Sequence, residues 1–224
     1  MNPRLSIIIP ALNEARHIRE TLLALQPLRR RGHEVIVVDG GSHDETASLA
    51  RPLADVVLAS PPGRAVQMAA GAEHASHTVL WFLHADTLVP PQADRAIVDA
   101  LQRSEWGRFD IVLSGHHPML RVVERLINLR SRLSGIATGD QGIFVTRELF
   151  QHIGGMPQQP LMEDVALSRR LKRIGRPACL SQRLLTSSRR WEQHGIVRTI
   201  LLMWWLRAAY AAGVSPQRLA RWYR

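Results

Sequence analysis

The segment Val79-Leu80-Trp81-Phe82-Leu83 constrains this chain most, because five apolar residues run unbroken into His84-Ala85-Asp86. An uninterrupted apolar run of strand length belongs to a strand covered on both faces, as in a parallel α/β sheet. In open sheets of that kind, ligands bind beyond the carboxyl ends of the strands. Here the first polar residues after the run fall at that end. On extended backbone His84 and Asp86, two apart, point to the same side. An imidazole and a carboxylate so placed can hold a divalent cation through N and O ligands.

Three further runs repeat the pattern upstream, at 5–10, 34–39 and 55–59, each four to six residues long and rich in β-branched residues. Helical stretches separate them. Ile18, Leu22 and Leu25 form an apolar stripe that Asn13 or Glu14 can cap and that Arg29-Arg30-Arg31-Gly32 ends. A short helix at 44–50 carries acidic Asp44 and Glu45 in its first turn. An alanine-rich helix at 63–75 precedes the Val79 strand, and Pro90-Pro91 starts another that reaches Arg103. Strand alternating with helix predicts an α/β fold with a mostly parallel, doubly wound, Rossmann-like sheet and helices on both faces. Asn13, Glu14, Asp39, His84 and Asp86 then sit at strand ends and line one crevice.

The second half changes character. A strand is expected at 109–113, and an amphipathic helix with interspersed arginines at 119–133. Gly139-Asp140-Gln141-Gly142 forms a loop leading into a strand at 143–145, and Met162-Glu163-Asp164 opens a helix that ends near Gly175 and Pro177. Two short strands follow, near 178–181 and 184–187, then a last helix at 194–212 that carries Trp204, Trp205 and Arg207. With no internal repeat and no low-complexity linker, residues 1–224 read as one domain.

Charge is unevenly placed. The net charge is +10, yet residues 1–100 hold 9 arginines against 11 carboxylates, whereas residues 165–224 hold 13 basic residues against Glu192 alone. A basic C-terminal quarter favours an anionic partner, whether a diphosphate, an acidic lipid surface or nucleic acid. Without zinc-finger spacing, an RNA-recognition signature or many aromatics for stacking, nucleic acid is the class least supported. The single cysteine, Cys179, excludes an internal disulfide framework and suits a reducing compartment. Met1-Asn2-Pro3-Arg4 leads into only a few apolar residues before Pro10, unlike a signal peptide, and no run reaches the roughly 20 apolar residues of a spanning helix. These features point to the cytoplasm, with peripheral contact at the inner membrane face as one use of the basic quarter. The Trp-rich stretch at 200–210 suits a membrane interface, a dimer contact or core packing.

Four motifs in order, Ser6-Ile-Ile-Ile-Pro-Ala-Leu-Asn-Glu14, Val37-Val-Asp-Gly-Gly-Ser-His-Asp-Glu-Thr46, Leu83-His-Ala-Asp-Thr87 and Glu163-Asp164 ahead of Leu167 and Arg170-Leu171, resemble glycosyltransferase family 2. The chain looks like a compact bacterial branch often found beside radical-SAM and selenium-related proteins. The resemblance implies the GT-A fold, with residues 1–103 as nucleotide-binding half, 104–193 as acceptor and catalytic half, and C-terminal helices over 194–224. It also implies an inverting transfer from a nucleotide-diphosphate sugar, with a UDP-sugar as the expected donor, to an acceptor that the resemblance does not name.

 

By the same resemblance Asp39 accepts from the base, with Pro10, Asn13 and Glu14 around the nucleoside, and Gly63-Arg64 is the basic turn near base and phosphates. His84-Ala85-Asp86 stands where the family places Asp-x-Asp, so Asp86, with His84 beside it, is the metal position. Mn²⁺ is favoured over Mg²⁺ because one candidate ligand is an imidazole. Asp140 and Gln141 lie in the loop below the donor sugar. Asp164 is the general base and Glu163 its support. Arg190-Trp191 match part of the Gln-x-x-Arg-Trp motif of processive members, which makes Arg190 a candidate diphosphate clamp.

Two rivals differ in chemistry. A sugar nucleotidyltransferase shares the αβ architecture but carries a basic, Gly-rich loop after the first strand, where this chain has Pro10-Ala-Leu-Asn-Glu14. A nucleotide-sugar binder that has lost metal chemistry at His84 is the other. A dehydrogenase is excluded by the absence of G-x-G-x-x-G after the first strand.

Overall fold

The computed structural model describes residues 3–223. Met1, Asn2 and Arg224, which belong to the N-terminal stretch and to the charge count above, lie outside the described residues. Strands β1 (Leu5–Ala11), β2 (Glu34–Asp39), β3 (Val56–Ala59) and β4 (Val79–Phe82) run parallel in the spatial order β3-β2-β1-β4. β1 is buried at every position, as a central strand covered on both faces must be.

Alternate residues of β1 feed two cores. Leu5, Ile7 and Ile9 pack with Ile18, Leu22 and Leu25 of α1 (Ile18–Arg30), while Ile8 packs with Ala65, Met68 and Ala72 of α3 (Arg64–His74). The two helices therefore cover opposite faces of the sheet. Gly71 fixes the closeness of α3: a Cβ there would meet Ile8 Cγ2 at 2.4 Å. α2 (Thr46–Ala50) and α4 (Ala93–Leu101) complete the crossovers of the first half.

The sheet continues through β7 (Phe144–Thr146), β6 (Trp106–Leu113), β8 (Ala178–Thr186) and β5 (Thr87–Leu88). β7 is antiparallel to both β4 and β6, β8 is parallel to β6, and β5 is antiparallel to β8. The sheet is thus mostly parallel rather than wholly so, with β7 and β5 running against the rest. The two strands expected near 178–181 and 184–187 are one. Its pairing with β6 slips where Phe109 faces Leu180 and Asp110 faces Arg183, so two residues of β8 bulge out of register.

Other helices are α5 (Pro118–Ser134), α6 (Arg147–His152), α7 (Glu163–Ile174), α8 (Arg189–His194), α9 (Ile196–Ala211) and α10 (Pro216–Tyr223). The helix expected from residue 194 instead begins beyond a break at Gly195, whose φ of 82° is costly for other residues. Neither Asn13 nor Glu14 caps α1. His17 occupies the cap, and Asn13 adopts a left-handed φ of 55° in the loop before it. Among the described residues no helix is long and apolar enough to cross a membrane.

Candidate active site

A cavity of about 440 Å³ opens beyond the carboxyl ends of β1 and β4. Pro10 and Glu14 reach it from the first strand and its loop, Arg64 from the start of α3, His84 and Asp86 from the segment after β4, and Arg189, Arg190 and Tyr223 from the C-terminal helices. Three arginines face two carboxylates, so the walls suit a polyanion. Arg189 Nη2 lies 3.2 Å from Glu14 Oε1 across the rim. Arg190 stacks over the Tyr223 ring at 3.7 Å and donates from Nη2 to the Tyr223 carbonyl.

His84-Ala85-Asp86 is not extended. The chain leaves β4 at Phe82 and turns, with the Thr87 amide donating to the His84 carbonyl at 3.3 Å. The shared side inferred from strand geometry is thus supplied by a turn, and both residues line the cavity. His84 lies against Gly139, where a Cβ would fall 2.5 Å from His84 Nε2. Burial and the Arg64 charge push its imidazole down to about 4, leaving it neutral with a free lone pair. Among the described residues no three His, Cys, Asp or Glu side chains converge as a metal cage. One carboxylate with a neutral imidazole nearby does fit a cation that completes its shell from diphosphate and water, the usual way Mg²⁺ is held beside phosphates.

The acidic pair stands at the opening of α7. Met162, with a left-handed φ of 63°, turns the chain into the helix. Asp164 accepts from the Gly139 amide on Oδ2 at 2.8 Å and from the Val165 amide on Oδ1 at 2.7 Å. Glu163 is 4% exposed. Burial, then the Asp164 charge, pushes its carboxyl up to about 7, and Arg64 Nη1 stands 3.8 Å from its Oε1. Through Gly139, then, the turn at His84 and the Asp164 carboxylate form one corner. A second, largely apolar cavity of about 390 Å³ between α5 and α9 ends at this corner, with Asp140 and Asp164 on its wall.

Not every expected residue faces a cavity. Gln141 is fully buried. Its Oε1 accepts from the Thr138 amide in a capping box around the turn Gly139–Gln141, and its amide points to the Phe109 carbonyl, so it braces the turn instead of reaching a sugar. The pattern Thr138-Gly-Asp-Gln141 already carried that signal. Trp191 packs against Ile111, Leu113, Leu120 and Val123 and borders the second cavity, away from the first. Asp39 lies outside the cavity lining, its carboxylate accepting from the Gly41 and Ser42 amides and the Ser42 hydroxyl. Asn13 accepts from the His43 amide, joining the same two loops.

Gln67, Arg189, Tyr223 and Arg130 line these cavities without having been assigned a site role from the sequence. Gln67, 3% exposed, donates to the carbonyls of Ala11 and Val38, both at 2.8 Å, and so ties the ends of β1 and β2. A lone amide within an alanine-rich helix was the available sign.

The sheet order, the cavity beyond the strand ends and the acidic pair at the start of α7 define a fold of the GT-A type. The chain belongs to glycosyl transferase family 2, whose family model matches residues 6–117. A curated relative, undecaprenyl-phosphate 4-deoxy-4-formamido-L-arabinose transferase of Pseudomonas fluorescens (strain Pf0-1), is 30% identical over 61% of this chain and 44% of its own length. Among solved structures, the mannosyltransferase PcManGT from Pyrobaculum calidifontis, in complex with GDP-Man and Mn2+, matches 83% of this chain and 57% of its own with a TM-score of 0.66 at 23% identity. The S. aureus protein TarS in complex with UDP-GlcNAc matches 82% of this chain and 58% of its own, with a TM-score of 0.63 at 17% identity. Glucosyl-3-phosphoglycerate synthase from Mycobacterium tuberculosis, in complex with Mn2+, UDP and glucosyl-3-phosphoglycerate, matches 82% of this chain and 71% of its own, with a TM-score of 0.62 at 22% identity. At these identities the structural likeness is one of fold. The chain spans less than half of the curated relative's length.

Proposed function

We propose that this chain transfers a sugar from a nucleotide-diphosphate sugar, UDP-linked, to an acceptor with inversion at the anomeric carbon. One observation carries the reading. Arg64 and Tyr223 border both the arginine-lined cavity and the cavity that ends at Asp164, so donor and base share a wall. Solved structures of the same fold in complex with UDP-GlcNAc, with UDP and Mn2+, and with GDP-Man and Mn2+ support a nucleotide donor beside a divalent ion.

In this reading the nucleoside lies against Pro10, Glu14 and the Asp39 loop, and the diphosphate faces Arg64, Arg189 and Arg190. Asp86 would hold a divalent ion with His84 beside it, and the ion would supply charge neutralisation for the leaving diphosphate. In the same reading Asp140, on the wall of the second cavity, accepts from a sugar hydroxyl. Asp164 takes the proton of the acceptor hydroxyl as that oxygen attacks the anomeric carbon from the face opposite the diphosphate. Glu163, whose carboxyl holds its proton up to about pH 7, limits repulsion beside Asp164. A release assay over UDP-, GDP- and TDP-sugars, with Mn²⁺ or Mg²⁺ and with chelator, tests the proposal. Release of UDP above background is expected. No release from any donor, together with no metal-dependent UDP binding, would leave a binding protein in its place.

A further inference from the structure

A surface helix ordinarily turns its apolar side chains to the core and its polar ones to water. α5 is apolar on both sides. Leu120 and Val123 face inward and pack with Ile111 and Leu113 of β6, yet Met119, Val122, Leu126, Leu129 and Leu133 are exposed, Leu133 at 71%. These five recur at spacings of three and four, which sets them in one stripe along the helix. α9 repeats the pattern. Val197, Leu201 and Trp204 are exposed at the same spacings with Trp205 beside them, while Leu206 is fully buried. α10 adds exposed Trp222, whose ring lies 4.4 Å from that of Trp205.

The stripes belong to one surface. Leu126 and Trp204 both border the second cavity, and Leu201, Trp205 and Trp222 border a cleft of about 690 Å³ between α9 and α10. Of the fourteen large apolar side chains that are exposed among the described residues, ten lie on these three helices and the other four are scattered. Apolar surface gathered in that way marks a place of contact with a partner.

Charge says which partner. Arg125 follows Val122 by three residues, Arg198 precedes Leu201 by three and Arg218 precedes Trp222 by four, so an exposed arginine borders each apolar stretch. The only carboxylate on the three helices, Glu124, is buried. A second copy packed on this face would therefore set arginine against arginine with no exposed acid to pair it. An anionic bilayer satisfies both halves of the surface. Its head groups attract the arginines, and its interface is where tryptophan rings are favoured. Among the described residues no helix is long and apolar enough to cross a membrane, so the contact is one of lying on the surface.

We infer that the outer face of α5, α9 and α10 docks on an anionic lipid surface, with Trp204, Trp205 and Trp222 at the level of the head groups and Arg125, Arg198 and Arg218 on the phosphates. The inference is independent of the transferase reading, because it concerns where the chain sits and not what it transfers.

Flotation of the whole chain with vesicles of phosphatidylcholine and about one third phosphatidylglycerol tests this without donor or acceptor. Binding is expected, at least about tenfold tighter than to phosphatidylcholine alone and weakened by added salt. Phosphatidylcholine brominated on its acyl chains should quench the tryptophan fluorescence of the bound chain, and less so in Trp204→Ser. Arg198→Glu should weaken binding about tenfold. Trp204→Ser and Leu133→Ser should each weaken it several-fold, with far-UV circular dichroism and Tm unchanged because both positions are exposed. No binding to either vesicle overturns the inference. Equal binding to both vesicles would remove the anionic partner, and binding without quenching would reduce the contact to charge alone and strike out the apolar face. A concentration-dependent dimer in sedimentation that vesicles fail to dissociate would assign the face to a second copy of the chain. Sugar-nucleotide turnover without vesicle binding overturns this inference alone; vesicle binding without turnover of any donor overturns the transferase reading alone.

Discussion

Arg189 and Glu14 stand 175 residues apart in sequence, yet Arg189 Nη2 lies 3.2 Å from Glu14 Oε1 and joins the loop after β1 to α8. Both side chains are partly exposed, 40% and 21%, so the pair contributes about 1 kcal/mol or less to stability. Its weight is positional and electrostatic, because it sets a cation at the rim of the arginine-lined cavity. Arg189→Ala is expected to lower Tm by about 4 °C at most while weakening UDP binding about tenfold, the loss of one charge-assisted contact. Calorimetric titration of UDP with Mn²⁺ checks it. Unchanged UDP affinity in the variant would confine Arg189 to holding the rim.

Gly139 serves two groups at once. Its amide donates to Asp164 Oδ2 at 2.8 Å, and a Cβ on it would fall 2.5 Å from His84 Nε2. Gly139→Ala must therefore move the imidazole, the turn or both. Turnover is expected to fall at least tenfold with little change in far-UV circular dichroism, a displacement effect of the kind that costs reactions geometry more than folding. A variant with unaltered kcat and KM would take the His84 corner out of the reaction.

The fold was legible where one physical rule dominates. β1, β2 and β4 are buried on both faces, so their sequences read as apolar runs that need no alternation to be recognised. β7 and β5 have three residues and two, too few to show a period, and their antiparallel direction follows from sheet neighbours far away in sequence. The break between α8 and α9 rests on the single residue Gly195, with helix on both sides of it. In the site, Glu14, His84 and Asp86 meet at one cavity because strand ends meet there, and Arg64 and Arg190 reach it from the starts of α3 and α8. Arg189 could not be placed by any local pattern, since its partner lies in the first loop. Gln141 was misplaced for the opposite reason: a polar residue in a loop suggests solvent, and only the capping box explains its burial.

Asp164→Asn separates chemistry from support. Each carboxylate oxygen of Asp164 accepts one backbone amide, from Gly139 and Val165. An asparagine can satisfy only one of them, so the variant should lose about 1–3 kcal/mol of stability. If Asp164 is the base, kcat should fall about 10²- to 10⁴-fold with donor affinity little changed. Stopped-time assays at saturating donor, alongside a UDP titration, distinguish the two effects. A kcat loss under tenfold would move the base elsewhere.

Glu163 gives the chain a pH dependence with a definite sign. Burial and the Asp164 charge raise its folded-state carboxyl from 4.5 to about 7. Between those values the folded state binds the proton more tightly than the unfolded state, so protonation favours folding. The contribution is full below pH 4.5, declines as pH rises through the window and is gone above about 7. Over that window it amounts to about 3 kcal/mol at most, each pKa unit being worth about 1.4 kcal/mol. Asp55 and Asp94 shift the other way, their carboxyls held low by Arg29 and Arg31 against the cost of burial, and they lose stability only as pH falls below the usual carboxylate range. His33 also opposes Glu163, since burial lowers its imidazole and protonating it below 6.5 favours unfolding. The comparison must therefore be made between variants. Wild type minus Glu163→Gln should show a stability difference that shrinks steadily from pH 4.5 to 7, followed by urea unfolding at fixed pH intervals. A difference that stays flat, or grows with pH, would place an ionised Glu163 in the folded chain and make its pairing with Arg64 at 3.8 Å the stronger influence.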